Sequence, residues 1–151
     1  AECTVDIQID AHIPETYIES LTQRLEIYRR IAAVSTKLEK EDVLDELIDR
    51  YGDPPDSIVG LVDTALLRNT AAQLGITEIK QKRGMLLFYV EHPEPEQITA
   101  LAAAYKGRIE FNSLAKPYIG VKAAKGEKTM KLMEDVLFAM WDAKPPQTPE
   151  N

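Results

Sequence analysis

The hydrophobic period of this chain changes once, at Gly75, and that change constrains the fold more than any other feature. Between Pro14 and Gly75 apolar residues recur at steps of three and four, the spacing of helices that bury one face. Beyond Gly75 they come in short runs and alternations punctuated by Gly and Pro, as strands do. Ahead of both, residues 4–9 alternate strictly, with Val5, Ile7 and Ile9 on one face and Asp6 and Gln8 on the other. That pattern is a half-buried strand.

The helical stretch divides into three. Ile18, Leu21, Leu25, Tyr28 and Ala32 form a first stripe, widened by Ile27, Ile31 and Val34. Ser35-Thr36 breaks it and supplies a cap for a second helix over about 39–51, ended by Gly52. Asp53-Pro54-Pro55-Asp56 reads as the start of a third helix, with Asp53 as N-cap and Pro54 in the first helical position. It runs to Leu74 with Ile58, Leu61, Val62, Ala65 and Leu66 inward. Leu47 and Leu61 are expected to be buried where the second and third helices meet. After Gly75, strands at 76–81 and 85–91 join through a hairpin at Lys82-Arg83-Gly84. A helix with Ile98, Leu101, Ala102 and Tyr105 on one face follows, then strands at 108–114 and 118–123. A last helix covers 127–143, with Met130, Met133, Val136, Leu137, Met140 and Trp141 as its apolar set. The expected fold is α+β: an N-terminal strand and three helices, then a strand-strand-helix unit occurring twice around a roughly four-stranded antiparallel sheet. Residues 1–143 read as a single domain and 144–151 as a flexible Pro-rich tail.

Catalytic chemistry finds little to work with. No apolar run approaches the roughly 20 residues that a bilayer span needs. The start, Ala1-Glu2-Cys3, is not a signal peptide and reads as a piece cut from something longer. One cysteine, Cys3, allows neither an internal disulfide nor a cysteine-rich zinc site, so a reducing compartment is the default. His12 and His92 lack metal-ligand spacing, and no nucleophile elbow or dinucleotide-binding glycine pattern occurs. No catalytic residue, metal or cofactor is expected. Residues 120–129 mimic a phosphate-binding loop, but five residues separate Gly120 from Gly126 and Glu127 precedes Lys128-Thr129. A carboxylate inside the ring of backbone N–H groups would repel a phosphate. They are read as a turn with a basic helix start.

Charge is unevenly spread over a chain whose formal net charge is −7, which argues against a dedicated nucleic-acid binder. Residues 36–63 hold nine acidic and three basic residues. On the second helix Val43, Leu44, Leu47, Ile48 and Tyr51 share one arc, and Asp42, Asp45, Glu46 and Asp49 the opposite one, with Asp53 continuing it beyond Gly52. Such a ridge suits a basic protein partner. The second half is richer in cations: Lys80, Lys82, Arg83, Lys116, Lys122, Lys125, Lys128 and Lys131. They are interspersed with acids and lack the interleaved aromatics that stack bases, so they read as a solvated surface.

Leu44-Asp45-Glu46-Leu47-Ile48-Asp49-Arg50-Tyr51-Gly52-Asp53-Pro54-Pro55 resembles a signature of the C-terminal domain of bacterial transcription-repair coupling factors. Ile13-Pro14-Glu15-Thr16-Tyr17-Ile18 resembles that domain's opening, Arg24-Leu25-Glu26-Ile27-Tyr28 its first long helix, and Leu66 through Ile76 the end of its third. The likeness covers about residues 5–141. It implies a non-catalytic, autoinhibitory domain of a bacterial, cytoplasmic, ATP-dependent DNA translocase that displaces stalled RNA polymerase and recruits nucleotide excision repair. In that family the domain packs on the parent's UvrB-like N-terminal module and masks the surface that UvrA would bind. On the ridge and the matched segment together, docking is assigned mainly to Glu46 and Asp49, with Asp42, Asp45 and Asp53 as supporting charges, and Arg50, Tyr51, Gly52 and Pro54 take a structural role. No direct nucleic-acid or membrane contact is expected. The alternative is a polymerase- or DNA-contacting module acting through the Lys-rich second half.

Overall fold

A computed structural model describes residues 2–145; the expected tail at 144–151 lies almost wholly outside them. The order of elements is β1 (Thr4–Asp6), α1 (Leu21–Ala32), α2 (Lys37–Tyr51), α3 (Asp56–Gln73), β2 (Ile76–Lys82), β3 (Met85–Val90), α4 (Pro95–Ala104), β4 (Ile109–Asn112), β5 (Tyr118–Lys122) and α5 (Thr129–Asp142). The chain forms two compact units, a helical one over residues 8–70 and a sheet unit built from residues up to 7 and from 71 onward.

In the helical unit, Ile13, Ile18, Ile27, Ile31, Val43, Leu47, Ile58 and Val62 are buried together, with Tyr17, Tyr28, Tyr51 and Leu61 packed against them. Leu47 is fully buried as expected, whereas Leu61 is only half-buried and Ile58 and Val62 take the centre of the α3 face. The first helix starts later than its stripe suggested. Pro14 closes one turn by accepting from the Tyr17 and Ile18 amides, and α1 then begins at Leu21, with the Ser20 side chain accepting from the Gln23 amide. The Arg24 guanidinium donates to the carbonyls of Ile18 and Glu19 across the break, at 2.7 and 2.9 Å. The interruption shifts the phase between Ile18 and the helix proper. Ile27 and Ile31 therefore face inward, leaving Leu21 62% and Leu25 47% exposed.

Both ends of α2 are well fixed. The Thr36 hydroxyl accepts from the Glu39 amide, and the Glu39 carboxylate accepts from the Ser35 amide and hydroxyl at 2.7 and 2.9 Å. The Ser35 amide is the main reason the Glu39 carboxyl lies below its ordinary pKa. At the far end Gly52 adopts φ +85°, ψ −171°, a conformation open essentially to glycine alone.

The third helix corrects the sequence reading. It begins at Asp56, with the Pro55 carbonyl accepting from the Ile58 and Val59 amides, and Asp53 is exposed in the preceding bend rather than an N-cap. The cause is Pro55, whose ring bars the residue before it, Pro54, from helical backbone angles. Thr36→Ala should accordingly cost about 1 kcal/mol of stability by removing a cap. Asp53→Ala should stay within about 0.5 kcal/mol, as exposed surface changes do. Urea melts of the two variants check this, and an Asp53→Ala loss equal to that of Thr36→Ala would restore the earlier helix start.

The sheet unit has five strands in the order β1-β2-β3-β5-β4, one more than the second half alone supplied. The extra strand is the N-terminal one, paired parallel to β2 with Val5 beside Ile79; the other three pairings are antiparallel. Only Thr4–Asp6 joins the ladder, although the inward-outward alternation of exposure continues to Asp10. Ile79, Leu86, Phe88, Ile119 and Val121 are buried on one face of the sheet. Gln81, on that same face, donates to the Thr129 hydroxyl at the start of α5. Leu101 of α4 and Leu132, Met133, Val136, Leu137 and Met140 of α5 complete this core, while Trp141 stays 40% exposed.

The opposite face of the sheet carries its residues in rows. One row runs Thr4, Glu78, Tyr89, Tyr118, Asn112, the next Asp6, Lys80, Leu87, Gly120, Glu110, and the third Lys82, Met85, Lys122. A Cβ on Gly120 would meet Met85 Sδ at 2.8 Å and Leu87 Cδ2 at 3.3 Å, so these side chains lie across a bare stretch of backbone.

Candidate docking face on the second helix

Leu38, Asp42, Asp45 and Asp49 follow one another at steps of four, three and four, which lines them up along the outside of α2 over about 16 Å. All four are exposed, Leu38 by 67%. Among the described residues no lysine or arginine forms an ion pair with Asp42, Asp45 or Asp49. Two of the helix's own cations are directed elsewhere: Lys40 pairs with Asp63 of α3, and the Arg50 guanidinium lies 5.0 Å from the Tyr51 ring centre.

Glu46, expected at the centre of the ridge, is instead turned toward α1. It is half-buried and forms an ion pair with Arg30, with Arg50 a second, looser partner at 3.9 Å. At about 100° per residue Glu46 stands some 60° round the helix from Asp49, enough to face the neighbouring helix rather than solvent. Arg30 carries no local sign of this role, because the contact joins residues of two different helices 16 positions apart in sequence.

The segment after the ridge is a latch. The Tyr17 hydroxyl reaches the carbonyls of Gly52 at 2.7 Å and Leu47 at 3.1 Å, which ties the end of α2 to the turn ahead of α1. The Tyr17 and Tyr51 rings meet with centres 5.7 Å apart, and the Tyr51 hydroxyl donates to Gln23 Oε1 at 3.1 Å. Burial raises the Tyr17 pKa, and the nearby Asp53 carboxylate adds to the rise, so Asp53 stands close to this latch. The C-terminal end of α2 thus meets Tyr17 and Gln23 through Leu47, Tyr51 and Gly52, with Arg50 over the Tyr51 ring and Pro54 half-buried beyond it. Sequence reasoning missed Tyr17 and Gln23, whose partners lie about 30 residues away.

The other candidates stay apart from this face. His12 Nδ1 lies 2.9 Å from an Asp10 carboxylate oxygen, both side chains well exposed, and His92 is exposed. Cys3 is buried. Among the described residues no group of three or more His, Cys, Asp or Glu could hold a metal ion, and no helix is long and apolar enough to cross a membrane. In the loop resembling a phosphate cradle, Glu127 accepts from the Ala124 amide at 3.0 Å and pairs with Arg108. A carboxylate already occupies the N–H group that a phosphate would need.

The profile of the family described as TRCF domain matches residues 7–101. Transcription-repair-coupling factor of Bacillus subtilis is 38% identical over 82 residues, which are 54% of this chain and 7% of that protein. The Escherichia coli K12 protein of the same name is 37% identical over 86 residues, 56% of this chain and 8% of that protein. The Mycobacterium tuberculosis one is 45% identical over 75 residues, 50% and 6% respectively. The chain therefore spans less than a tenth of the length of these relatives. A crystal structure of the C-terminal domain of transcription-repair coupling factor superposes with a TM-score of 0.80 at 20% identity, covering 95% of this chain and 94% of that one. Fold and sequence together define an α+β domain of the class found in bacterial transcription-repair coupling factors. The chain belongs to the TRCF domain family.

Proposed function

We propose that this is a non-catalytic regulatory domain that docks, through α2, on a basic surface of the UvrB-like N-terminal module of its parent. The docked domain masks the surface where UvrA binds. The parent is proposed to be a cytoplasmic, ATP-driven DNA translocase that displaces stalled RNA polymerase and recruits excision repair. One observation carries the reading: three carboxylates without cation partners among the described residues, Asp42, Asp45 and Asp49, stand in line on a helix fixed at both ends. Rigid presentation matters, because a preorganised face loses little entropy on docking. Leu38 at the head of the line supplies an apolar anchor, and Asp53 extends the negative field past Gly52. Glu46, expected to share the docking, pairs here with Arg30 of α1 and is left out of the line.

The test is a titration of this chain against the parent's N-terminal module at two salt concentrations. Exposed pairs contribute about 0.2–1 kcal/mol each, so reversing Asp42, Asp45 and Asp49 to Lys should weaken binding by at least about tenfold. Wild-type affinity should fall as salt rises. An affinity indifferent to the triple reversal, with the variant folded by circular dichroism, would reduce the line of carboxylates to a solvated face.

A further inference from the structure

A second surface lies in the sheet unit. Along the sequence the lysines of the second half lack interleaved aromatics, but strand register supplies them. Tyr89 of β3 and Tyr118 of β5 are direct cross-strand neighbours on the sheet face opposite to Ile79, Phe88 and Ile119, both half-buried, with ring centres 5.5 Å apart, and the next row holds the buried Leu87 and Gly120. Lys116 Nζ stands 4.4 Å from the Tyr89 ring centre, so the ring face already receives a cation. Of the acids on this face, Glu78 is paired with Lys80 and Lys116 at 3.2 and 3.4 Å, Glu110 accepts from the Tyr118 hydroxyl at 3.2 Å, and Asp6 lies exposed on the edge strand β1.

Two rows away, roughly 13 Å along the strands, the same face ends in Lys82 and Lys122. Arg83 forms the hairpin tip between β2 and β3, and the Ala123 amide bonds to the Gly84 carbonyl at 2.8 Å, which brings the end of β5 to that tip. Lys82, Arg83, Lys122 and, in the following loop, Lys125 are exposed, and none forms an ion pair among the described residues. Arg83 holds φ +48°, in a two-residue hairpin where Asn or Gly is the conformationally favoured choice. Its cation is kept there against backbone preference.

We infer that the tyrosine-bearing face of this sheet binds single-stranded nucleic acid, its phosphates held at the Lys82–Arg83–Lys122 end and its bases stacked on Tyr89 and Tyr118. Aromatic rings on a sheet flanked by unpaired cations match the chemistry of an unpaired strand, which offers base faces and phosphates at once. A duplex hides its base faces, and the Asp and Glu side chains of an acidic peptide offer no flat rings to set on the tyrosines. Lys116 leaves the Tyr89 ring when a base takes its place and turns to a phosphate. This surface is independent of the α2 docking face and does not depend on it.

The test is fluorescence anisotropy with labelled dT20 and a duplex of equal length. The chain should bind dT20 at 50 mM salt and, with three to four phosphates contacted, roughly 20- to 50-fold more weakly at 200 mM. Lys82→Glu with Arg83→Glu and Lys122→Glu should abolish binding and the salt slope with it. Tyr89→Leu with Tyr118→Leu should lose about tenfold or more while keeping the slope, and the Phe pair at the same positions should bind as wild type does. No binding of dT20 at 50 mM, equal affinity for the duplex, or an unchanged Leu pair would each overturn the assignment.

Discussion

Leu47→Ala should lower the unfolding free energy by roughly 2–5 kcal/mol, the largest loss among single changes in the helical unit. Leu47 is fully buried among Ile27, Ile31, Ile58 and Val62, so truncation leaves a cavity with walls on several elements. Its carbonyl also accepts from Tyr17, so repacking would strain the latch at the end of α2 as well. Leu61→Ala should cost clearly less, since that side chain keeps partial contact with solvent. Paired urea melts read the difference, and a larger loss at Leu61 would mean that the α2–α3 contact is misplaced.

The second large effect belongs to the intact parent. Reversal of Asp42, Asp45 and Asp49 to Lys should open the proposed clamp and raise UvrA affinity. Couplings between sites are typically about 1–3 kcal/mol, so the rise should be roughly 5- to 150-fold. High salt should shrink the gain, because screening already loosens the wild-type clamp. Glu46 is a poor target for this test. Removing it strands Arg30 without its partner, which confounds docking with local stability. UvrA titration with wild-type and triple-variant parent settles the matter, and equal affinities would sink the clamp.

The sequence carried most of the fold because its signals were local. The change of period at Gly75, the Thr36 cap and the hairpin at Lys82-Arg83-Gly84 each depend on residues within a few positions. Its misplacements share a cause as well. Ile18 matched the stripe of α1 by spacing, although Pro14 closes a separate turn before Ser20 caps the helix. Asp53 looked like a cap until the effect of Pro55 on Pro54 was counted. The docking face was legible as a set of acids on one arc, but which acid stays free was not. That depends on Arg30, and the tyrosine pair on the sheet likewise depends on register between β3 and β5. Pairings of this reach leave no trace in spacing.

The short strand β1 has a consequence for the order of assembly. Its three residues pair with β2 across about seventy intervening positions, which contain the whole helical unit. Closing a loop of that size is entropically unfavourable, and a three-residue ladder returns little until the rest of the sheet exists. The helical unit is contiguous in sequence and can form from its own contacts, and so are strands β2 to β5 with their helices from residue 71 onward, so that only β1 must wait. β1 is therefore the stitch that is made last and released first.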